Sequence, residues 1–328
     1  MTDALDVLLL RHLFADGRPF VCGASLASAL GCSRREVNQR VEALGEVGYR
    51  IEARPHAGYR LVEAGDVLVA DEVRARLEGN VFAQRLVVFR ETRSTNDVVL
   101  REAERGAPHG FAVLAESQTA GRGRLGRAWM SAPACGLWFS VLFRPGGEGG
   151  WQTPQGLTML AAVAVARAVD RQVARAVSIK WPNDLLFEGK KVCGILVEAR
   201  VDGERRPYGV VGIGLNVNHR STEFPEELRG RAVSLRMVDG VERRRADVLV
   251  SVFEELARLE REGMEAVASA WRERCETIGT LIQVQTADGV REGVMTGVTE
   301  EGHLMLRGAS GAVEIVVAGT VLSLGGEG

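Results

Sequence analysis

The chain has few of the residues that mark metal centres, secretion or membrane insertion. Its 328 residues include five cysteines, Cys22, Cys32, Cys135, Cys193 and Cys275, none in a C-x-x-C pair, and five scattered histidines, His12, His56, His109, His219 and His303. A zinc site or a disulfide framework needs such residues at fixed short spacing, so neither is expected, and a reduced, cytoplasmic setting is. The stretch from Met1 to Phe14 carries Asp3 and Asp6 and has neither a basic region nor a small-residue cleavage site, which argues against a signal peptide. The most apolar run, Leu157 to Val169, is interrupted by Arg167 before it reaches the ~20 residues a membrane span requires, and reads as a buried alanine-rich helix. There is no internal repeat and no low-complexity tract. A net charge of −2 excludes bulk electrostatic attraction to nucleic acid, so any such binding must rest on a local patch. The remainder is ordinary globular chain, with 46% apolar residues for a core and a length that suits two or three domains.

What is present is concentrated in one loop, Gly121-Arg122-Gly123-Arg124-Leu125-Gly126-Arg127-Ala128-Trp129, reached through Ala115 to Ala120. Its glycines free the backbone for close approach to a ligand, and its arginines supply planar, permanently charged donor forks suited to phosphate or carboxylate. Gly121 to Gly126 also matches G-x-G-x-x-G. A Rossmann site would open a helix there, whereas Trp129, Pro133 and Gly136 interrupt the residues after the loop, and the V-A-I-K, H-R-D and D-F-G elements of a kinase are absent. A solvated basic loop is the plain alternative.

Taken in order, the chain begins with helical spacing from Leu5 to Phe14, stopped by Asp16-Gly17-Arg18-Pro19. Gly23 to Leu30 reads as a short helix, Gly31-Cys32 as a turn, and Ser33 as the N-cap of a helix through Val37, Val41 and Leu44. Strands at Tyr49 to Arg54 and Gly58 to Val62 complete a winged helix-turn-helix. Ser33, Arg34, Arg35, Asn38, Gln39 and Arg40 on the second helix and Arg54 in the wing are the candidate DNA-binding residues, although Met1 to Ala64 holds eight arginines against eight acidic residues. A helix is expected near Ala70 to Leu77 and a strand at Leu86 to Phe89. Ser94, Thr95 and Asn96 then suit either helix capping or a small polar ligand. The next strands are Phe111 to Glu116 and Leu137 to Phe143, the latter ended by Arg144-Pro145 and a glycine loop at 146–150. After the apolar helix comes Val177 to Asp184, a strand that stops at Pro182, and then Leu185 to Phe187, Lys191 to Ala199 and Tyr208 to Asn216 as hairpin strands, with turns at Glu188-Gly189 and Asp202-Gly203. Arg244 to Cys275 reads as one amphipathic helix. Short strands from Ile278, with Gly289, Gly293, Gly302, Gly308 and Gly311 at the turns, suggest a small barrel.

Several of these motifs stand together in one order: the helix-turn-helix with its Gly58-Tyr59 wing, Ser94-Thr95-Asn96, Gln118 with Gly121 to Arg127 and Trp129, Lys180 to Asp184, Lys191 to Glu198, and Gly212 to Asn216. In this the sequence resembles the bifunctional biotin-protein ligases and biotin operon repressors of bacteria over nearly its whole length. The resemblance implies an α+β multidomain chain: a winged helix-turn-helix DNA-binding domain at 1–65, a catalytic domain with a mixed sheet related to class II aminoacyl-tRNA synthetases at 66–275, and an SH3-like β-barrel at 276–328. It implies that Ser94, Thr95, Asn96 and Gln118 hold the biotin head group. By the same match Arg122, Gly123 and Arg124 wrap the biotin tail and phosphate, Trp129 covers the adenine, Lys191 meets the reacting carboxylate and α-phosphate, and Gly121, Arg127, Gly194 and Asn216 complete the substrate-binding set. Leu125 stands where some relatives carry another basic residue.

The implied reaction joins biotin and ATP, with Mg²⁺ on the phosphates, into biotinyl-adenylate. Biotin then passes to a lysine of a biotin carboxyl carrier protein of acetyl-CoA carboxylase or a related carboxylase. A carboxylate ~4 Å from a phosphate is repelled by about 4 kcal/mol at an effective dielectric of 20, so cations must stand between them, and Arg124 and Lys191 are the candidate catalytic residues. No side-chain nucleophile is required. Asp184 either caps a turn or assists the metal, and Lys191 is otherwise a solvated hairpin lysine. A ligand-promoted homodimer would place two recognition helices on operator DNA of biotin genes. A biotin-sensing transcription factor without ligase activity, a lipoate or octanoate ligase, and a ligase whose winged helix no longer represses are the competing readings.

Overall fold

The computed structural model describes residues 4–15, 17, 19–144 and 153–324. Asp3, the Asp16 and Arg18 of the turn expected after the first helix, and the glycine loop expected at 146–150 lie outside them.

Helices α1 (Ala4–Leu13), α2 (Gly23–Leu30) and α3 (Arg34–Glu46) precede the hairpin of β1 (Tyr49–Arg54) and β2 (Gly58–Ala64). Between α2 and α3 the chain reverses on Gly31, at φ 64, and α3 then starts on a capping box. The Ser33 hydroxyl accepts from the Glu36 amide at 3.2 Å while the Glu36 carboxylate accepts from the Ser33 amide at 2.8 Å, which satisfies two of the orphan donors at the helix start. Gly58 is required where it stands: at φ 102, a Cβ there would come within 2.0 Å of the Val21 carbonyl, so the wing lies directly on the segment entering α2. Leu9, Leu13, Leu26, Val37, Leu44, Tyr49 and Leu61 form the core of this unit.

The next stretch runs α4 (Ala70–Arg76), α5 (Val81–Gln84), β3 (Leu86–Thr92), α6 (Thr95–Glu104), β4 (Ala112–Gln118), β5 (Gly136–Phe143), α7 (Pro154–Asp170), β6 (Ser178–Lys180), β7 (Asp184–Phe187), β8 (Lys190–Val201), β9 (Pro207–Asn216), α8 (Leu235–Asp239), α9 (Arg245–Glu262) and α10 (Met264–Glu273). Its seven strands form one mixed sheet in the order β3-β4-β5-β9-β8-β7-β6, with β3 and β4 parallel and every other pair antiparallel. Both faces are covered. Val98, Val99 and Leu100 of α6 pack with Val113, Leu142 and Val210 on one side, and α7, α9 and α10 bury the other. The single helix expected over Arg244 to Cys275 is two: Gly263 takes φ 84 and ψ 170, a conformation easy only for glycine, and breaks it.

Strands β10 (Leu281–Thr286), β11 (Gly289–Val298), β12 (Leu304–Arg307), β13 (Val313–Val316) and β14 (Thr320–Leu324) make a five-stranded antiparallel sheet in the order β13-β12-β11-β10-β14. Gly293, expected at a turn, lies inside β11 instead. A Cβ there would stand 2.7 Å from the Arg307 carbonyl, so the glycine permits close strand approach. Ile282, Val284, Met295 and Leu304 of this sheet join the same core as α7 and α10.

A buried charge cluster ties the wing to α4 and to the start of α9. Glu72 of α4 is fully buried; it accepts from the Tyr49 hydroxyl at 2.6 Å, from Arg244 at 2.8 and 2.9 Å, and from Arg76 at 2.9 Å. Removing one partner of such a cluster leaves the others desolvated and uncompensated. Glu72→Ala is therefore expected to lower the unfolding free energy by about 3–5 kcal/mol in denaturant titration, whereas a loss under ~1 kcal/mol would mean that water reaches these groups.

Candidate active site

One end of the site is a chain of neutral polar groups. The backbone of Ser94 occupies the N-cap of α6, yet its side chain makes no capping hydrogen bond, so capping does not account for it. Ser94, Thr95 and Asn96 are nearly buried where β3 turns into α6 beside the end of β4. Gln118 Oε1 accepts from the Thr95 amide at 2.8 Å and lies 3.1 Å from its hydroxyl; that hydroxyl is 2.6 Å from Ser140 Oγ, which donates to Asn96 Oδ1 at 2.6 Å. Asn96 Nδ2 donates to Glu198 at 2.8 Å, and Gln118 Nε2 donates to Ser131 Oγ at 2.8 Å. Gly212 makes room for this group, since a Cβ there would lie 2.2 Å from Asn96 Oδ1.

The other end is cationic. Lys191 Nζ is 2.6 Å from Asp184 Oδ1 and 5.2 Å from the Trp129 ring centroid. Arg124 donates to Asn183 Oδ1 at 3.3 Å and to the Gly319 carbonyl at 3.0 Å, the latter from the C-terminal sheet. Burial draws the Arg124 pKa down; Asp184 opposes that and Arg127 adds to it. Trp129 lies on two glycines: a Cβ on Gly214 would be 2.4 Å from its Nε1, and one on Gly194 would be 2.8 Å from its ring. Asn216 donates to the Val233 carbonyl at 3.1 Å and more weakly to that of Lys191 at 3.5 Å, so its amide serves to fix backbone.

The glycine and arginine loop is ordered against itself. Gly123 donates to the Arg127 carbonyl at 2.7 Å and Trp129 to that of Gly121 at 2.9 Å, around a turn in which Leu125 (φ 56) and Gly126 (φ 72) are left-handed. Arg122 grips Asp97 through two bonds, 2.5 and 3.0 Å, and holds its carboxyl below the usual range. Leu125 is 77% exposed at the rim of the cavity. Loop, sheet and C-terminal strand enclose a cavity of about 930 Å³ that Thr95, Gln118, Arg124, Trp129, Lys191 and Val321 all line.

Of the residues expected at the ligand site, all but Gly121 line this one cavity. Sequence reasoning missed Ser140, Ser131, Asn183 and Glu198 as partners. Ser140 could have been found, because it is the one polar residue in the apolar strand Leu137–Phe143. The expected DNA-facing residues divide. Arg34, Arg35, Asn38 and Gln39 are exposed on α3, with Asn38 bonded to the Tyr59 hydroxyl of the wing. Ser33 is occupied by its capping box, Arg40 pairs with Asp6 of α1 at 2.6 Å, and Arg54 pairs with Glu52 at 2.6 Å beneath the Phe20 ring.

Cations and hydrogen-bonding groups at opposite ends of one cavity, on a sheet that shares its chain with a helix-turn-helix, define a ligase that activates a small acid and carries a DNA-binding type of module. Residues 88–216 match the biotin/lipoate A/B protein ligase family and residues 8–60 match an HTH domain. The bifunctional ligase/repressor BirA of Bacillus spizizenii is 37% identical over 306 residues, covering 92% of this chain and 94% of that protein. The biotin--[acetyl-CoA-carboxylase] ligase of Mycobacterium tuberculosis is 34% identical over 74% of this chain and 90% of its own. Among solved structures, biotin protein ligase from Aquifex aeolicus in complex with biotin and ATP superposes with a TM-score of 0.63 at 29% identity, covering 74% of this chain and 98% of that one. The chain belongs to the biotin/lipoate A/B protein ligase family, in the bifunctional form that carries a helix-turn-helix. Among the described residues no helix is long and apolar enough to cross a membrane.

Behind the site, His219 is fully buried, stacked on Phe224 with ring centroids 4.7 Å apart, and burial depresses its pKa from 6.5 to about 4. An unfolded chain takes up this proton near pH 6.5 while the folded one resists it to about pH 4, so stability falls as pH drops through that window and is unaffected above it. His219→Phe is expected to make the decline shallower by up to ~1.4 kcal/mol per pH unit, measured by urea unfolding at pH 7 and pH 5. An unchanged slope would contradict a buried neutral ring.

Proposed function

We propose that the chain is an ATP-dependent biotin-protein ligase that forms biotinyl-5'-adenylate, transfers biotin to a lysine of a biotin carboxyl carrier protein, and represses biotin genes when the adenylate is bound. The observation that carries this reading is the polarity of the cavity, neutral hydrogen-bonding groups at one end and Arg124 and Lys191 at the other. Thr95, Asn96 and Gln118, with Ser94 beside them, are the groups for a cyclic urea, which needs both donors and acceptors. Trp129, flat on Gly194 and Gly214, suits a purine face. Arg122, Gly123, Gly121 and Arg127 would follow the tail and phosphate.

Biotin's carboxylate must attack the α-phosphate of ATP, and Arg124 and Lys191 offset the repulsion between the two anions. These cations are held by Asp184 and by carbonyl oxygens, so arriving anions replace contacts of the same sign. Mg²⁺ would spread the phosphate charge further. Among the described residues Asp184 is the one carboxylate lining the cavity and no group of three metal-ligand side chains is found, which suits an ion carried mainly by the phosphates. The mixed anhydride formed is sensitive to water, and the Gly121–Trp129 loop is the element that would cover it.

On this reading residues 1–65, 66–275 and 276–328 are the DNA-binding, catalytic and carrier-facing units, the second of the class II synthetase type and the third an SH3-like barrel. The acetyl-CoA carboxylase carrier is supported by the name of the mycobacterial relative. A ligand-promoted homodimer would present α3 of each copy to a two-fold operator.

Arg124→Ala and Lys191→Ala are each expected to slow biotinylation of a purified carrier domain by about 10²–10³-fold, the usual effect of losing one charge-stabilising donor; wild-type rates in both would contradict the assignment. Arg34→Ala and Arg35→Ala should weaken operator binding in gel shifts and each reduce the salt slope by about 1, with sedimentation showing adenylate-dependent dimers. Operator affinity indifferent to both substitutions would instead favour a ligase whose winged helix no longer represses, a reading that the internal pairing of Arg40 and Arg54 favours.

A further inference from the structure

We propose that Glu198 is a positioning residue that fixes the hydrogen-bond polarity of the head-group pocket; this rests on the reading that Asn96 and its neighbours face biotin's ureido ring. Glu198 stands on β8, four residues beyond Gly194 and therefore on the same face of the strand. Its Oε2 accepts from Asn96 Nδ2 at 2.8 Å and lies 3.6 Å from Arg122 Nη2. Asn96 itself is 4% exposed.

An asparagine amide can be turned end for end with little change in shape, and only its partners decide which end is oxygen. An ionised carboxylate only accepts. Glu198 therefore holds the amide nitrogen on its own side and turns Asn96 Oδ1 toward Ser140 and Gly212. The consequence runs onward. Ser140 has one hydroxyl proton and gives it to Asn96 Oδ1, so it must accept from Thr95. The Thr95 hydroxyl stands between two acceptors, Ser140 Oγ at 2.6 Å and Gln118 Oε1 at 3.1 Å, and its proton goes to the nearer one, since Gln118 Oε1 also accepts from the Thr95 amide at 2.8 Å. A carboxylate outside the pocket thus sets the direction of every hydrogen bond from Asn96 to Thr95. A ureido ring presents one acceptor oxygen and two N–H donors, so a pocket of fixed polarity accepts it in one orientation and rejects a ring of opposite pattern. Glu198 also meets the ligand loop through Arg122, whose main anchor is Asp97. Asp97 touches the loop without touching Asn96, which allows the two roles of the cluster to be separated.

The test is calorimetric titration of the full chain with biotin and with 2-iminobiotin, in which an imino nitrogen replaces the ring's acceptor oxygen. Glu198→Ala is expected to weaken biotin at least about tenfold, ~1.4 kcal/mol, and to bring the two dissociation constants at least about fivefold closer, because the Asn96 amide is free to turn. That ratio is read on one sample and does not depend on the fraction folded. Glu198→Gln can still offer an oxygen to Asn96 and should restore both values to within about threefold, and Asp97→Asn, which loosens only the loop, should leave the ratio at the wild-type figure. The proposal is overturned if Asn96→Ala weakens biotin tenfold while Glu198→Ala does not, or if Asp97→Asn shifts the ratio as much as Glu198→Ala. Unchanged biotin affinity in Asn96→Ala would overturn the head-group reading itself, and the inference with it.

Discussion

Like charges crowded at one end of a cavity are the constraint on which the rest of this site depends. Arg124 and Lys191 line one wall with Arg127 nearby, and their mutual repulsion has to be offset within the protein. They are kept there by Asp184 and Asn183, neighbours where β7 begins, and by the Gly319 carbonyl just ahead of β14. The loop's first arginine is held apart from them by Asp97 and Glu198. Local anions thus keep the cations in place at modest energy, since contacts of this kind in partly exposed positions are individually weak and readily exchanged for a phosphate or carboxylate.

The scaffold makes that exchange geometrically possible. β8 and β9 pair from Cys193–Leu215 to Val201–Pro207, which sets Gly194 opposite Gly214 and creates the flat bed for Trp129. The end of β4 carries Gln118 to the start of α6, so the polar end of the cavity is built on the sheet itself. Arg245, 1% exposed, adds a link to the DNA-binding type of module: it pairs with Glu116 of β4 at 2.6 Å and with Asp66, just after the wing, at 2.9 Å. The ligand strand and the segment that leaves the wing therefore share one buried cation.

Much of this was legible in the sequence, for reasons that differ by element. The helix-turn-helix was legible because Gly31 and the Ser33 cap are local signals, and the strands because apolar runs ended at glycine turns. The break at Gly263 was not, since one glycine inside an amphipathic pattern is compatible with a continuous helix, and only the left-handed backbone decides it. Gly293 misled in the opposite sense: a glycine that lets strands approach looks in sequence like one that makes a turn. At the site, residue types such as Gly121 to Arg127 announced an anion, but Ser140, Glu198 and the Gly319 carbonyl act through partners far away in the chain. Such pairings become visible only when the sheet is assembled.

The central claim is that the two ends of this cavity serve one reaction, activation of a biotin carboxylate by ATP. Isotope exchange between pyrophosphate and ATP in the presence of Mg²⁺ tests it most directly, because exchange requires reversible formation of an adenylate at this cavity. The account predicts exchange that starts on addition of biotin and is negligible without it. Tight biotin binding with no exchange would contradict it and leave the chain a biotin sensor whose cations serve some other anion.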